Sequence, residues 1–143
     1  MSDEPTDDAG STAKVETDPR DFDSSVAIRT IAMPADTNSA GDVFGGWLMA
    51  QMDLAAGNAA ARRARGRCAT VKVKEINFLA PVHVGDEVTV FATLHAVGRT
   101  SMVFFVEAWR RSRDGDEQVK VTDALFTFVA LDTGGRPRPV PAS

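Results

Sequence analysis

The spacing of apolar residues changes from a helical to an alternating period about halfway along the chain. In the first half, apolar side chains recur every three or four residues, at Phe44, Leu48, Met52, Ala55 and Ala59. This stripe predicts one amphipathic helix whose apolar face packs on a core. We expect the helix to begin near Asp42, a preferred N-cap residue type, and to run to about Arg65. Gly66 suits the left-handed position that ends such a helix.

Strands are predicted on both sides of this helix. A short first strand covers residues 26–33. After the helix, apolar and polar residues alternate in runs separated by turn signals, which predicts strands over residues 69–82, 88–96, 100–110 and 118–131. In the first of these runs, Val73 and Ile76 fall on opposite faces, so we expect a β-bulge near Lys74 or Glu75. The third run is apolar on both faces and should be covered on both.

One helix of about 20 residues followed by long antiparallel strands is an α+β architecture, in which the sheet wraps around the helix. Small residues line the second half of the predicted helix, which allows a sheet to curve closely around it. Such a sheet has two edges and two apolar faces that one helix cannot fully cover. We therefore expect a homo-oligomer formed by pairing of sheets.

Composition divides the 143 residues into one domain and two tails. Residues 1–23 hold eight acidic residues against two basic ones and nearly lack large apolar side chains, which predicts a disordered acidic tail. Their net charge is −6, so the rest of a chain with a total charge of −4 carries +2, a mild excess that suits an anionic ligand. The folded domain should span residues 24–132, and residues 133–143, rich in glycine and proline, should form a flexible tail.

The sequence argues against several classes of protein. No apolar run approaches the roughly 20 residues that a spanning helix needs, and the N-terminus lacks the features of a signal peptide, so we expect a cytoplasmic protein with no membrane partner. Cys68 is the only cysteine, and His83 and His95 are the only histidines. Since there is no metal-binding motif, phosphate-binding loop or dinucleotide fingerprint, we expect no metal, no cofactor and no nucleic-acid partner.

Two glycines at the predicted helix start are the first sign of chemistry. Gly45 and Gly46 each cost up to about 1 kcal/mol in a helix relative to alanine, so the pair needs a reason. A helix N-terminus presents unpaired N–H groups, and glycines let a ligand oxygen approach that backbone, which are the requirements of an oxyanion hole. On spacing alone, a cap at Asp42 and two glycines in a tightly packed turn would be the commoner explanation.

The stretch from Met33 to Asp53 resembles the start of the long helix in YciA-type acyl-CoA thioesterases of the hotdog superfamily. Their pattern, Met-Pro-x-Asp-Thr-Asn-x-x-Gly-Asp-x-Phe-Gly-Gly-Trp-Leu-Met-x-x-Met-Asp, is matched throughout. The resemblance implies a hotdog fold over about residues 28–131, hydrolysis of acyl-CoA to a free acid and CoA, and dimers that often assemble as trimers of dimers. One departure is Asn58, where an aliphatic residue is expected, and it leaves the preferred acyl chain length open.

The resemblance also implies roles for individual residues. It places the catalytic carboxylate on Asp42, as general base or as nucleophile, and the oxyanion donors near Gly45 and Gly46. Asn38 becomes an orienting partner, although an Asx turn that stabilises its own loop is an equally good interpretation. Further residues are expected to contact substrate or the CoA arm: Phe44, Phe78 and the Gly-x-Thr-Ser residues Arg99, Thr100 and Ser101.

Two other functions remain open from the sequence. A hotdog hydratase or dehydratase would need an aspartate and histidine pair at the helix, and only His83 or His95 could supply the imidazole. A non-catalytic acyl-CoA binding or sensing module is the second, because a fold does not fix a function. Asp42 separates these possibilities, since a binding module has no need for a carboxylate beside an anionic ligand.

Overall fold

The computed structural model describes residues 26–142, and the acidic tail predicted for residues 1–23 lies outside them. A short first strand and a 3-10 turn are followed by one helix and four longer strands. In chain order the elements are β1 (Val26–Ile31), the 3-10 turn Pro34–Asp36, α1 (Gly45–Ala64), β2 (Cys68–Phe78), β3 (Glu87–Val97), β4 (Ser101–Arg111) and β5 (Val119–Ala130). No helix within the described residues is long and apolar enough to cross a membrane.

The five strands form a single antiparallel sheet in the order β1-β3-β4-β5-β2. Helix α1 packs against all five strands. The predicted α+β architecture, with a sheet around one long helix, is therefore confirmed. Since β1 and β2 are the two edges, each presents a row of backbone groups that no neighbouring strand within the described residues covers.

Small side chains bring the helix close to the sheet. The fully buried face of α1 consists of Leu48, Met52, Ala55, Ala56, Ala60 and Ala64. Four of these six are alanines, which explains how a curved sheet can approach one helix along its whole length. Phe44 was expected on this stripe, but it is 44% exposed and lies outside the core. It precedes the helix, so its side chain does not follow the helical spacing.

The helix ends where predicted, but its start and its left-handed C-terminal residue differ from the prediction. The helix begins at Gly45 rather than near Asp42, and its N-cap residue is Phe44, which makes no side-chain cap. The cause is an extended segment: Val43 donates its N–H to the carbonyl of Val82 at 3.1 Å, which holds the chain out of the helical conformation. At the other end, the left-handed position is occupied by Arg65, with φ of 56°, and not by Gly66.

The strand predictions agree well with the structure. Strand β4 lies in the centre of the sheet, and its first nine residues are buried, as expected for a strand covered on both faces. The predicted bulge is confirmed: the register of β2 against β5 shifts between Lys74 and Asn77, and Glu75 has a positive φ of 55°. This bulge redirects the end of β2, where Phe78 lies beside the start of the helix.

Residues 132–142 lie against the fold, although their composition suggested a loose tail. Leu131 and Pro137 form a β-bridge, and Val140 donates its N–H to the carbonyl of Arg99 at 2.8 Å. Arg138 donates to the carbonyls of Ala64 and Leu131 at 2.8 and 2.9 Å. These contacts fix the segment beside the C-terminal end of α1.

Candidate active site

In the loop before α1, both the N–H and the carbonyl of Asp42 are hydrogen-bonded to Asn38. The side-chain oxygen of Asn38 accepts the N–H groups of Ala40 and Asp42 at 2.9 and 3.2 Å, and the N–H of Asn38 donates to the carbonyl of Asp42 at 2.7 Å. Gly41 closes the turn, with φ of 90° and an N–H that donates to the Asn38 carbonyl at 3.0 Å. Asn38 therefore makes the Asx turn that was one of its two interpretations. The same hydrogen bonds fix the backbone of Asp42.

The carboxylate of Asp42 is exposed, and no hydrogen bond or ion pair engages it within the described residues. The amide nitrogen of Asn38 likewise has no partner there. Because the helix does not start at Asp42, its side chain is not used as a cap. A carboxylate on a fixed backbone, free of partners and three residues before a helix, is available to a ligand.

The start of α1 presents two unpaired N–H groups. The neighbouring donors are occupied, since Phe44 donates to the carbonyl of Asp36 at 3.4 Å and Trp47 donates to that of Phe44 at 3.0 Å. Between them, the N–H groups of Gly45 and Gly46 have no partner among the described residues. As the first residues of a helix, they also lie at its positive end.

An apolar groove of about 580 Å³ opens beside these donors. It is lined by Val43, Gly45, Leu48, Phe78, Leu79, Ala80, Pro81 and Val82. Phe78 forms one wall and is 55% exposed. Its ring lies so close to the helix that a Cβ atom placed on Gly45 would be 3.0 Å from ring atoms Cε1 and Cζ. The glycine at this position therefore allows the ring to pack directly on the helix start.

Arg110 anchors the segment at Pro81, which lines the same groove, and the sequence did not reveal this contact. Arg110 donates to the carbonyl of Pro81 at 2.6 Å, and its Nε lies 3.9 Å from a carboxylate oxygen of Asp86. Asp86 is buried and accepts the N–H of His83 at 2.9 Å. The partners are distant along the chain, so no local spacing could identify them.

The predicted site residues fall into two groups. Asn38, Asp42, Gly45 and Gly46 lie together at the N-terminal end of α1, with Phe44 and Phe78 beside them. Arg99, Thr100 and Ser101 lie in and beside the turn between β3 and β4, where Ser101 pairs with Val129. That turn is at the end of the sheet where β5 finishes, whereas Phe78 pairs with Thr122 near the start of β5. One subunit therefore does not bring the two groups together.

The remaining candidate residues have structural partners or lie apart. Asp53 accepts a hydrogen bond from the Thr70 hydroxyl at 2.6 Å and so links α1 to β2. His83 is paired with Asp86 at 3.9 Å rather than with Asp42. Cys68 is partly buried, and burial raises the pKa of its thiol, opposed by the charge of Arg138. A thiol in this state is a poor nucleophile.

Comparison with known proteins agrees with this geometry. The sequence profile described as Thioesterase superfamily matches residues 40–115. An uncharacterised acyl-CoA thioester hydrolase of Zymomonas mobilis is 56% identical over 115 residues, covering 80% of this chain and 77% of that protein. The acyl-CoA thioester hydrolase YciA of Escherichia coli is 45% identical, covering 81% and 90%.

A solved structure resembles the whole described domain. The hexameric thioesterase y2039 from Yersinia pestis superposes with a TM-score of 0.79 at 44% identity, covering 82% of this chain and 96% of that chain. The profile match spans more than half of the sequence, and both relatives exceed 40% identity over most of their length. The chain belongs to the thioesterase superfamily, has the hotdog fold and is similar to the YciA acyl-CoA thioester hydrolases.

Proposed function

We propose that this protein hydrolyses the thioester bond of acyl-CoA, releasing a free acid and CoA. The observation that carries the proposal is the carboxylate of Asp42, exposed and without a partner, beside the two unpaired N–H groups that begin α1. The relatives named above are called acyl-CoA thioester hydrolases, which supports the same activity and the same substrate class.

The N–H groups of Gly45 and Gly46 supply the electrostatic part of the mechanism. When water or a carboxylate attacks a thioester, negative charge develops on the carbonyl oxygen. Two N–H donors at the positive end of a helix stabilise that charge more than they stabilise the neutral substrate, so they lower the barrier. Because glycine has no Cβ atom, the substrate oxygen has room to reach both N–H donors.

Asp42 supplies the base or the nucleophile. As a base, it takes a proton from water while the water oxygen bonds to the thioester carbon; the tetrahedral intermediate then collapses, the C–S bond breaks and CoA leaves as the thiolate. As a nucleophile, a carboxylate oxygen displaces the CoA thiolate and forms a mixed anhydride, which water then hydrolyses. A rapid burst of thiol before steady turnover would favour the second route.

The apolar groove suits the acyl chain or the pantetheine arm. Its walls carry hydrocarbon side chains, and a volume of about 580 Å³ lies within the range of small-molecule sites. We assign Phe44 and Phe78 to substrate contact because both are about half exposed beside Gly45 and Gly46. Asn58 is exposed on α1 and lies outside this lining, so the groove residues themselves should set the chain-length preference.

The protein should act as a homo-oligomer, with a dimer as the unit of a trimer of dimers. The related Yersinia pestis thioesterase is hexameric. Strand β2 is an edge strand, and exposed apolar residues lie in it and directly after it: Val71, Phe78 and Leu79. Pairing of two subunits would cover these residues. It could also bring Arg99, Thr100 and Ser101 of one subunit towards Asp42 of the other, which one subunit alone does not do.

The other two functions lack a supporting observation. A hydratase would need a histidine paired with Asp42, and within the described residues the histidine with an acidic partner is His83, which lies against Asp86. A sensing module would leave the partner-free carboxylate and the two unpaired donors without a use. A cytoplasmic location stays a prediction from the sequence.

The test is thiol release from a panel of acyl-CoAs, from short to long and from straight to branched, by the purified protein. Steady release with at least one of them is expected, and the ranking would report the depth of the groove. Hydration of an enoyl-CoA without thiol release would support the hydratase. Binding of acyl-CoA without any release would support the sensing module and contradict the proposed hydrolysis.

A further inference from the structure

A positive charge ends the buried row of β4 that faces helix α1. The core between sheet and helix takes up four alternate residues of this strand: Met102, Phe104, Val106 and Ala108. Arg110 is the next residue of the row, and it lies opposite Val88, which belongs to the same core. Alternate residues of a strand share one face of the sheet, as do residues directly opposite each other on paired strands. Arg110 therefore points to the side of the sheet on which the helix lies.

Arg110 connects a buried carboxylate with the wall of the apolar groove. Its Nη1 donates to the carbonyl of Pro81 at 2.6 Å, and its Nε lies 3.9 Å from Oδ2 of Asp86. Asp86 belongs to a hydrogen-bonded turn, because its Oδ2 accepts the N–H of His83 at 2.9 Å and its carbonyl accepts the N–H of Ala32 at 3.0 Å. Since proline has no N–H, Arg110 engages the one backbone group through which Pro81 can be held.

The residue after Pro81 makes the contact that places the neighbour of Asp42. The carbonyl of Val82 accepts the N–H of Val43 at 3.1 Å, and both valine side chains are buried. On its other side, Val43 forms a β-bridge with Thr37. Two consecutive carbonyls are thus in use, one held by Arg110 and the other holding Val43. The backbone position of Asp42, directly before Val43, follows from the position of this segment.

We propose that Arg110 is a positioning residue for the hydrolysis assigned to Asp42. By holding Pro81, it sets the place of the Val82 carbonyl and, through Val43, the place of the Asp42 carboxylate. Arg110 does not line the groove, so it acts through the backbone and not by touching the substrate. Its catalytic role rests on the proposed function, whereas the contacts that link it to Val43 do not.

The capping preference of Asp42 explains why an anchor matters. As an N-cap residue, Asp42 would accept the N–H of Phe44 or Gly45, which follow it by two and three residues. A helix that began in this way would occupy the carboxylate, and a cap on Gly45 would use one of the two unpaired donors as well. The bond from Val43 to Val82 keeps Val43 outside the helix. Arg110 stabilises the segment that supplies this bond, and so keeps the carboxylate and the donors available to a ligand.

The chain offers a matched control at the next residue of β4. Arg111 has a side chain that is 27% exposed, against 23% for Arg110, and it also pairs with a carboxylate, that of Glu87 at 3.3 Å. It donates to the carbonyls of Ser112 and Gly115, both at 2.8 Å, and none of these contacts leads to Val43. Comparing Arg110→Ala with Arg111→Ala therefore separates the link to Val43 from the general loss of an arginine on β4.

Hydrogen exchange tests the link without any need for turnover. In the full-length protein, exchange followed by mass spectrometry on peptides that span residues 37–47 reports on the Val43 N–H. Arg110→Ala should speed exchange there by about tenfold or more, because local opening becomes more frequent, and Arg111→Ala should leave it near the wild-type rate. Arg110→Lys keeps a charge beside Asp86 and a donor for Pro81, so it should fall between the wild type and Arg110→Ala.

Kinetics test the positioning role. Arg110→Ala should lower kcat for thiol release from acetyl-CoA by about tenfold or more, the size expected when a catalytic group shifts by a fraction of an ångström to about 1 Å. KM should change less than kcat, because Arg110 makes no contact in the groove. Arg110→Lys should regain part of the loss, and it carries the comparison if Arg110→Ala fails to fold. Arg111→Ala should change kcat by less than about twofold.

A double-mutant cycle shows whether Arg110 acts through Asp42. In the Asp42→Asn background the catalytic carboxylate is gone, so adding Arg110→Ala should lower the remaining turnover by much less than it does in the wild type. A purely structural role would instead lower turnover by the same factor in both backgrounds.

Three results would overturn the proposal. The first is wild-type exchange at Val43 in Arg110→Ala, the second is an equal fall in kcat for Arg110→Ala and Arg111→Ala, and the third is full additivity with Asp42→Asn. Failure of the proposed hydrolysis looks different, because the wild type itself would then release no thiol. Wild-type turnover together with any of the three results would refute the role of Arg110 alone.

Discussion

Replacing Gly45 by alanine tests the contact between the helix start and the groove wall. The new Cβ would lie 3.0 Å from two atoms of the Phe78 ring, which is shorter than ordinary van der Waals contact. The ring must therefore move by a few tenths of an ångström. Gly46 provides a matched control in the same turn, because a Cβ there would meet the Phe44 ring at 3.6 Å, an ordinary contact.

Two opposing effects set the size of the result. Alanine favours the helix over glycine by up to about 1 kcal/mol at either position, and this gain is partial in a first turn. A forced contact in a packed site lowers stability by about 1–3 kcal/mol. Because Phe78 is 55% exposed, its ring can move aside, so we expect a loss of about 1 kcal/mol, at the lower end of this range. Gly46→Ala should therefore be stabilising, whereas Gly45→Ala should leave stability nearly unchanged, about 1 kcal/mol below Gly46→Ala.

The assay is urea-induced unfolding followed by circular dichroism, with all variants at one protomer concentration because oligomerisation contributes to stability. Thiol release is measured alongside, and Gly45→Ala should lower kcat/KM because the displaced ring narrows the groove. Adding Phe78→Leu should restore part of that loss. If Gly45→Ala proved as stabilising as Gly46→Ala, the inferred contact between Gly45 and Phe78 would be wrong.

Two further predictions concern Asn38 and Cys68. Asn38→Ala removes the acceptor of two N–H groups and should cost about 0.5–1.5 kcal/mol in stability, with a ten- to hundredfold fall in kcat as Asp42 loses its fixed position. Asn38→Asp keeps an oxygen acceptor and should regain the stability lost in Asn38→Ala. An unchanged kcat in Asn38→Ala would refute a positioning role for Asn38. Burial raises the pKa of the Cys68 thiol, so at pH 8 this thiol should react with iodoacetamide more slowly than the thiol of glutathione does. The rate of Cys68 alkylation should increase as the pH is raised, because the thiolate is the reactive form. Alkylation as fast as that of glutathione at pH 8 would contradict this.

Much of the fold follows from periodicity in the sequence. The helix, the long strands and the bulge near Glu75 were all predicted, because each depends on local spacing of apolar residues. The start of the helix was not, since the bond from Val43 to Val82 joins residues far apart in the chain and outweighs the capping preference of Asp42. Tertiary contacts decide such boundaries, and local propensity cannot register them.

The candidate site was predicted only in part. The glycine pair and Asp42 could be found because they lie within a few residues of each other. The clamp of Arg110 on Pro81 depends on pairing across the sheet, so its members carry no shared signal in the sequence. The same holds for Arg138, whose role at the end of α1 appears only when the C-terminal segment is placed beside the helix.

The central claim is that Asp42 takes part directly in thioester hydrolysis. The most direct measurement compares kcat for thiol release between the wild type and Asp42→Asn, with CoA affinity measured for both by calorimetry. Because the Asp42 side chain has no partner within the described residues, the variant should fold normally and bind CoA nearly as well. Its kcat should fall by about 10²–10⁴, the usual contribution of a positioned acid or base. Turnover by Asp42→Asn at the wild-type rate would contradict the account.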